Sequence, residues 1–234
     1  MDPRQLFMDE RLAGFCIYCG ADPDTREHVP SRILLDDPLP PNLDLPVVGA
    51  CSSCNTSFSL DEEYLACFLE CAICGSVDPE SLQREKIRRV LRRSTRLAAR
   101  IARSKGRDDA GQLVWQPEMN RVYKIIVKLA RGHAAYELYP LLHKPSRVDF
   151  RPLLTMSDTE RSVFESSPLG TPQLWPEIGT RAFLRTLAAF GNVYEDGDWI
   201  VVQPNRYRYT VSETDGVMVR MVLSEYLACM VTWD

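Results

Sequence analysis

Two cysteine pairs in this sequence have the spacing of metal ligands: Cys16 with Cys19, and Cys51 with Cys54. A Cys-x2-Cys turn presents two thiolates to one face of a tetrahedral ion, so two such turns can complete a closed site. We therefore predict a structural Zn²⁺ held by all four cysteines. Its binding free energy, roughly 10–16 kcal/mol, can help to fold a short loop-rich segment that lacks a core of its own.

Four further polar residues stand around these pairs. Glu27 directly precedes His28 between the two pairs, and a proline follows two residues later. Asn42 lies farther along the intervening loop, and Asn55 comes directly after the last cysteine. This order of residues resembles the HNH endonucleases, the zinc-bearing treble-clef branch of the ββα-metal nucleases. The resemblance covers residues 16 to 59, less than a fifth of the chain.

The resemblance implies a role for each of these residues. His28 matches the general base that takes a proton from water, since imidazole titrates near neutral pH. Glu27 and Asn55 match the ligands of a catalytic Mg²⁺ or Mn²⁺, ions that favour oxygen donors and keep water positions open. Asn42 matches the residue that supports the histidine loop. The catalytic ion would stabilise charge at phosphorus, and the zinc would be structural and separate.

Several of these residues also fit purely structural roles. Glu27 and His28 could form an ordinary surface pair in a zinc module without catalysis, and Asn55 could cap the following helix. The acids at 61 to 63 could extend the metal site, or they could favour the first turn of that helix. Three more cysteines at helical spacing are typical of buried thiols, although a second metal site also fits them: Cys67, Cys71 and Cys74.

A strongly basic segment follows at residues 84–107. It holds 11 of the 28 lysines and arginines but only one acid, so it carries +10 in a chain whose net charge is -4. Such a patch is a plausible footprint for nucleic-acid phosphates, although a solvated helix face gives the same pattern. The candidate phosphate contacts are Arg32, Arg88, Arg89, Arg92, Arg93, Arg96 and Arg100.

The spacing of apolar residues predicts three helices and a weaker fourth before a β-rich end. A capping-box pattern starts the first helix, at 59–74, and Gly75 can end it. Further helices are expected at 79–104 and 118–139, and a weaker one at 180–190. Asp215-Gly216 is a strong hairpin signal. The predicted strands cover 199–203, 206–212, 217–223 and 226–233.

The expected fold class is α+β in three parts. Residues 1–76 would form a treble-clef ββα-metal HNH module with a four-cysteine zinc site. Residues 77–144 would form a helical region with the basic helix, and residues 145–234 a linker followed by an antiparallel β-sheet domain. That sheet could serve as a dimer interface, a substrate surface or a sensor, and a homo-oligomer is compatible with the sequence.

Composition narrows the class of protein. Hydrophobic residues make up 45% and charged residues 26% of the 234 residues, which is typical of a globular chain. No stretch approaches the roughly 20 apolar residues of a membrane span, so no membrane partner is expected. The charged start, Met1-Asp-Pro-Arg, lacks the apolar region of a signal peptide. We therefore expect a cytoplasmic protein, whose cysteines serve as thiols or metal ligands rather than disulfides.

The sequence favours metal-dependent hydrolysis of DNA phosphodiester bonds, with His28 as base and the basic helix holding the backbone. Two alternatives belong to other classes. A zinc-stabilised protein that binds nucleic acid or regulates without cleaving it would give His28 no role. An RNase or a nuclease toxin would keep the chemistry and change the substrate from DNA to RNA.

Overall fold

The computed structural model describes residues 14–39, 45–111, 113–166, 199–213 and 215–234. Its N-terminal part is a ββα unit made of strand β1 (Thr25–His28), strand β2 (Val47–Ala50) and helix α1 (Ser52–Cys74). The two strands pair antiparallel, with His28 opposite Val47. The predicted α+β class is thus confirmed in its coarse form.

Helix α1 begins seven residues earlier than the predicted capping box at Ser59. Cys51 is its N-cap, and the Asp24 carboxylate accepts hydrogen bonds from the backbone N–H and the hydroxyl of Ser52, at 2.5 and 2.7 Å. These acceptors satisfy N–H groups that a helix start leaves free, which is why the helix can start beside the cysteine pair. Gly75 ends α1 with a φ of 67°, as predicted.

The predicted helix at 79–104 is divided in two at Ser94. The Ser94 hydroxyl accepts from the backbone N–H of Leu97 at 3.4 Å and so caps a second helix at this point. A short hairpin and a long helix follow, the latter within two residues of the prediction at each end. These elements are α2 (Glu85–Arg93), α3 (Thr95–Ala102), β3 (Lys105–Arg107), β4 (Leu113–Trp115) and α4 (Met119–Glu137).

The C-terminal part is a five-stranded antiparallel sheet in the order β5-β9-β8-β7-β6. The four predicted strands are confirmed, but β5 lies in a segment that we expected to be irregular because of its prolines. The predicted helix at 180–190 lies outside the described residues. The elements are β5 (Arg147–Pro152), α5 (Asp158–Glu165), β6 (Ile200–Gln203), β7 (Tyr207–Glu213), β8 (Val217–Leu223) and β9 (Leu227–Trp233).

Helix α4 is the central element of the core. It packs against α1 on one side and against β7, β8 and β9 on the other. Fully buried side chains of all three layers form one apolar cluster, among them Leu65, Ile125 and Val219. Cys67 and Cys71 are buried in this cluster, and burial raises the pKa of both thiols. In the parts of the chain that the structure describes, no helix is long and apolar enough to cross a membrane.

Asp36 joins the ββα unit to the C-terminal sheet. Its carboxylate accepts hydrogen bonds from Arg84 at 2.7 Å and from Arg206 at 2.6 Å, and its backbone N–H donates to Gln203. Burial raises the pKa of Asp36, but the hydrogen bonds and charges of the two arginines outweigh this effect and lower it. Arg84 is therefore a structural residue rather than a free cation of the basic segment.

Candidate metal centre and active site

The structure brings the four predicted zinc ligands together. The Sγ atoms of Cys16, Cys19, Cys51 and Cys54 all lie within 4.8 Å of one another. Of the described residues, they form the one group of three or more Cys, His, Asp or Glu whose atoms converge in this way. Four thiols whose sulfur atoms lie this close together can hold a metal ion such as zinc in a closed tetrahedral site.

The backbone around each pair keeps the thiols in place. Cys16 lies in a tight turn in which the N–H of Gly20 donates to its carbonyl at 2.8 Å, and Gly20 takes a left-handed φ of 79°. The turn is tied to β2 by a bond from the Ile17 N–H to the Gly49 carbonyl at 3.1 Å. The second pair lies at the start of α1. The hairpin and the helix therefore meet at the thiol cluster.

The thiols of the cluster differ in pKa. Burial would raise the pKa of the Cys16 thiol, but backbone N–H groups of Cys51, Tyr18 and Cys19 donate to it and lower that pKa to about 7. Burial, together with the neighbouring thiols, raises the pKa of Cys54. Thiolates crowded at this distance repel one another, so a cation between them favours the ionised form of all four.

His28 lies at the end of β1 and is half-buried. Burial, and then the positive charge of Arg32, lower its pKa below the ordinary value of 6.5. The imidazole is therefore neutral at neutral pH, the form that a general base needs. Its Nδ1 atom is buried and has no hydrogen-bond partner in the described parts of the chain.

The Glu27 side chain points to the opposite face of β1 from His28, because successive residues of a strand point to opposite faces. Its carboxylate is 2.7 Å from the ammonium of Lys128, which comes from the middle of α4. The same ammonium is 2.6 Å from the hydroxyl of Ser31 and contacts the carboxylate of Glu62 on α1. Ser31 in turn donates to Glu62. We call these four residues the interior cation cluster.

A close approach of α4 makes this cluster possible. Gly132 faces Val29, and a Cβ atom at Gly132 would lie only 2.9 Å from a methyl carbon of Val29. Lys128 stands four residues earlier, on the same helix face. A Cβ atom at 132 would force Val29 or the helix to shift, and a shift of the helix would draw the ammonium away from Glu27.

The other two predicted site residues are not gathered around Glu27. Asn55 lies in the first turn of α1, and its side-chain amide donates to the Thr25 hydroxyl at 3.3 Å. Asn42 lies outside the described residues. Of the acids after Asn55, Asp61 pairs with Arg121 and Lys124 on α4, at 3.0 and 2.9 Å. Because α1 starts at Ser52, the acids at 61 to 63 lie beyond its first turn. The expectation that they favour the first turn of this helix is therefore wrong.

As arranged, these residues do not fit a catalytic Mg²⁺. The Glu27 oxygen is already used by Lys128, and Asn55 is bonded to Thr25. Mg²⁺ takes six oxygens in octahedral geometry and usually keeps several waters. The Lys128 side chain is only 1% exposed, so its surroundings leave no room for those waters.

The basic segment has fewer free charges than its composition suggests. Arg88, Arg89 and Arg92 all lie within 4 Å of the Glu85 carboxylate. Arg92 also pairs with a glutamate at 80, and Arg100 with one at 118. Acids that the sequence places outside the segment are thus folded against it. Four exposed arginines of the segment form no ion pair with any described residue: Arg93, Arg96, Arg103 and Arg107.

This surface continues towards His28. Arg32 is exposed, and its carbonyl accepts a bond from Lys86 on the first turn of α2 at 3.0 Å. The Lys86 ammonium also pairs with Asp37 at 2.8 Å, so it fastens this loop to α2 and is not a free charge. Arg89 and Arg93 stand at i and i+4 on the exposed side of α2. We call the face formed by Arg32, Arg89 and Arg93 the basic track.

Sequence reasoning missed Lys128, Ser31 and Glu62 as partners of Glu27. A signal for Lys128 was present, since it stands among Ile125, Leu129 and other apolar residues on the buried side of a predicted helix. A lysine in such a place is almost never fully buried unless it is paired. Its partners come from segments 66 to 101 residues away, and spacing along the chain cannot reveal them.

We expect about one zinc per chain in the purified protein, and Cys51→Ser should lower this content several-fold. The variant should also melt at a lower temperature, because structural zinc binding contributes to folding. Cys74→Ser is the matched control, since this thiol lies outside the cluster. Metal analysis with thermal unfolding measures both. Full zinc content and unchanged melting in Cys51→Ser would show that the ligand set is different.

Histidine NMR tests the environment of His28. Removing the positive charge in Arg32→Gln should raise the pKa of His28, because that charge disfavours the protonated imidazole. Arg161→Gln on α5 removes an equal charge elsewhere and should leave the His28 titration unchanged. A downward shift, or none, in Arg32→Gln would contradict the placement of Arg32 beside the imidazole.

Comparisons with known proteins leave the site to be interpreted from its own geometry. No protein-family model, curated protein or solved structure matches this chain. What the residues can do is therefore inferred from the side chains and distances above.

Proposed function

We propose that the chain is a zinc-stabilised, HNH-like hydrolase of phosphodiester bonds in nucleic acid, with His28 as its general base. One observation carries the proposal. The neutral, half-buried imidazole lies beside Arg32 at the end of β1, in a ββα unit whose hairpin and helix meet at four thiols. DNA is the substrate that the resemblance implies, and RNA is the alternative.

Zinc in the four-thiol cluster would have a structural role. A closed tetrahedral site offers no open position for water or substrate, so it can fix geometry but cannot activate a nucleophile. By holding the Cys16 turn against the start of α1, the ion would keep β1, and with it His28, in a constant position. A general base contributes only when its distance and orientation to water are maintained.

His28 and Arg32 would have different roles in the reaction. His28 takes a proton from water, and the water oxygen forms a bond to phosphorus. The bond from phosphorus to the leaving oxygen breaks, and that oxygen receives a proton from solvent. The exposed guanidinium of Arg32 lies close enough to His28 to act on its pKa, so it can hold the phosphate being attacked. Since Glu27 and Asn55 do not fit a divalent ion as arranged, no step depends on one.

The basic track would hold the rest of the substrate. Guanidinium groups bind phosphate oxygens without reading bases, so the track predicts affinity with little sequence preference. Lys86 joins α2 to the loop that carries Arg32, which places the track next to the proposed reaction centre. A nucleic-acid backbone lying along α2 would thus pass close to His28.

A second candidate function, binding of nucleic acid without hydrolysis, is favoured by the interior cation cluster. Glu27 corresponds to a metal ligand in the resembling nucleases, yet here its oxygen is 2.7 Å from Lys128. A protein that kept the zinc module and the basic track but lost the catalytic ion would show this arrangement. Hydrolysis would require the His28 imidazole, whereas binding without hydrolysis would not.

A plasmid-nicking assay separates the two functions. Wild type should nick supercoiled DNA, and His28→Ala should be slower by about 10²–10⁴-fold, the usual contribution of a general base. His143→Ala is the matched control, because it removes an exposed histidine outside the ββα unit. Each protein should be zinc-replete and be assayed with Mg²⁺, with Mn²⁺ and without an added divalent ion.

Equal nicking by His28→Ala and wild type would refute His28 as the base. If wild type cleaves neither DNA nor RNA under any of these conditions but binds them, the second function is the correct one.

Salt dependence of binding tests the cationic surface. Replacing Arg89, Arg93 and Arg96 together by glutamine should weaken binding to duplex DNA uniformly across sequences. It should also reduce the slope of log K against log salt by about 2–3, since each lost phosphate contact contributes about 0.9. Fluorescence anisotropy at several salt concentrations measures this slope.

The matched control replaces three exposed arginines of the C-terminal part, Arg147, Arg151 and Arg161, and removes the same total charge. An equal effect of both triple variants would mean that net charge, rather than α2 and α3, determines binding.

A further inference from the structure

The interior cation cluster is saturated with hydrogen bonds. An ammonium has three donors, and Lys128 meets three acceptors: Glu27, Ser31 and Glu62. These acceptors come from the end of β1, the loop after it and the middle of α1. The ammonium lies at the point on which two carboxylates and a hydroxyl converge, as oxygen ligands converge on a hard cation.

The electrostatics of the cluster favour an ammonium between the two carboxylates. Two carboxylates facing each other in the interior repel unless a positive charge lies between them. Burial raises the pKa of Glu27, and the charge and hydrogen bond of Lys128 oppose this effect. A divalent ion entering the same space would meet the ammonium as a like charge, since a buried lysine has little freedom to withdraw.

We propose that Lys128 is the resident cation of the Glu27–Glu62 pair and that it excludes a divalent ion from Glu27. The inference rests on the proposed function for the identity of the site, and it implies that this site works without Mg²⁺ bound at Glu27. It further implies that the carboxylates keep the geometry of a cation site, so that removing the amine opens the space to a metal ion.

Mn²⁺ binding followed by electron paramagnetic resonance tests the proposal without any assay of cleavage. Wild type and Glu27→Gln, both zinc-replete, should bind Mn²⁺ equally weakly. Lys128→Ala removes both the charge and the side chain that fills the space, so it should gain one site with affinity at least about tenfold higher. The double variant Lys128→Ala/Glu27→Gln should lose that gain.

Two results would overturn the proposal. One is Mn²⁺ binding to wild type that Glu27→Gln weakens about tenfold or more, which would make Glu27 a metal ligand of the native protein. The other is a folded Lys128→Ala variant that binds no more Mn²⁺ than wild type. Should Lys128→Ala fail to fold, Lys128→Ser replaces it, and the comparison of wild type with Glu27→Gln still tests whether Glu27 is a metal ligand of the native protein. A negative nicking assay leaves each of these outcomes unchanged.

Discussion

The convergence of four thiols on one point is the constraint from which the rest of the candidate site follows. The first cysteine pair precedes β1 and the second lies at the start of α1, so bringing the pairs together closes the hairpin onto the start of α1. This closure aligns β1 with the helix. The strand then has one face towards the interior and one towards solvent, and the roles of its last two residues are fixed by that alternation.

Glu27 and His28, adjacent in sequence, have opposite environments as a result. The glutamate is committed to an interior ion pair that fastens α4 to the ββα unit, while the histidine is half-buried next to a positive charge. Buried ion pairs carry a large desolvation cost, which is compensated only when every charge has its hydrogen bonds. Here all three donors of the ammonium are used, so the cluster can hold three segments together. Of these two neighbours, only the half-buried imidazole of His28 is accessible from the surface.

Much of this could be predicted from the sequence, and the limits have physical causes. The four thiol ligands were identifiable because metal geometry imposes a local spacing, and Gly75 and the Asp215-Gly216 turn were identifiable because backbone conformation does so. The start of α1 was misjudged because Asp24, from outside the helix, supplies its acceptor. The partner of Glu27 could not be predicted, since it depends on how α4 packs 101 residues later. The free charge of the basic segment was overestimated for a related reason, because acids outside it pair with Lys86, Arg92 and Arg100.

The close contact between Gly132 and Val29 bears on whether the N-terminal unit is modular. A small ββα unit with its own four-thiol site could be regarded as a cassette that can be moved from one protein to another. In this chain the cassette would carry its four cysteines and its histidine, but the ammonium that neutralises its two acids belongs to a helix outside it. A host protein that received the unit would have to offer a glycine-backed helix with a lysine one turn away, or the acids would recruit a cation from solution. Transfer of the unit without α4 would therefore change its chemistry, because the positive charge between its two acids would stay behind.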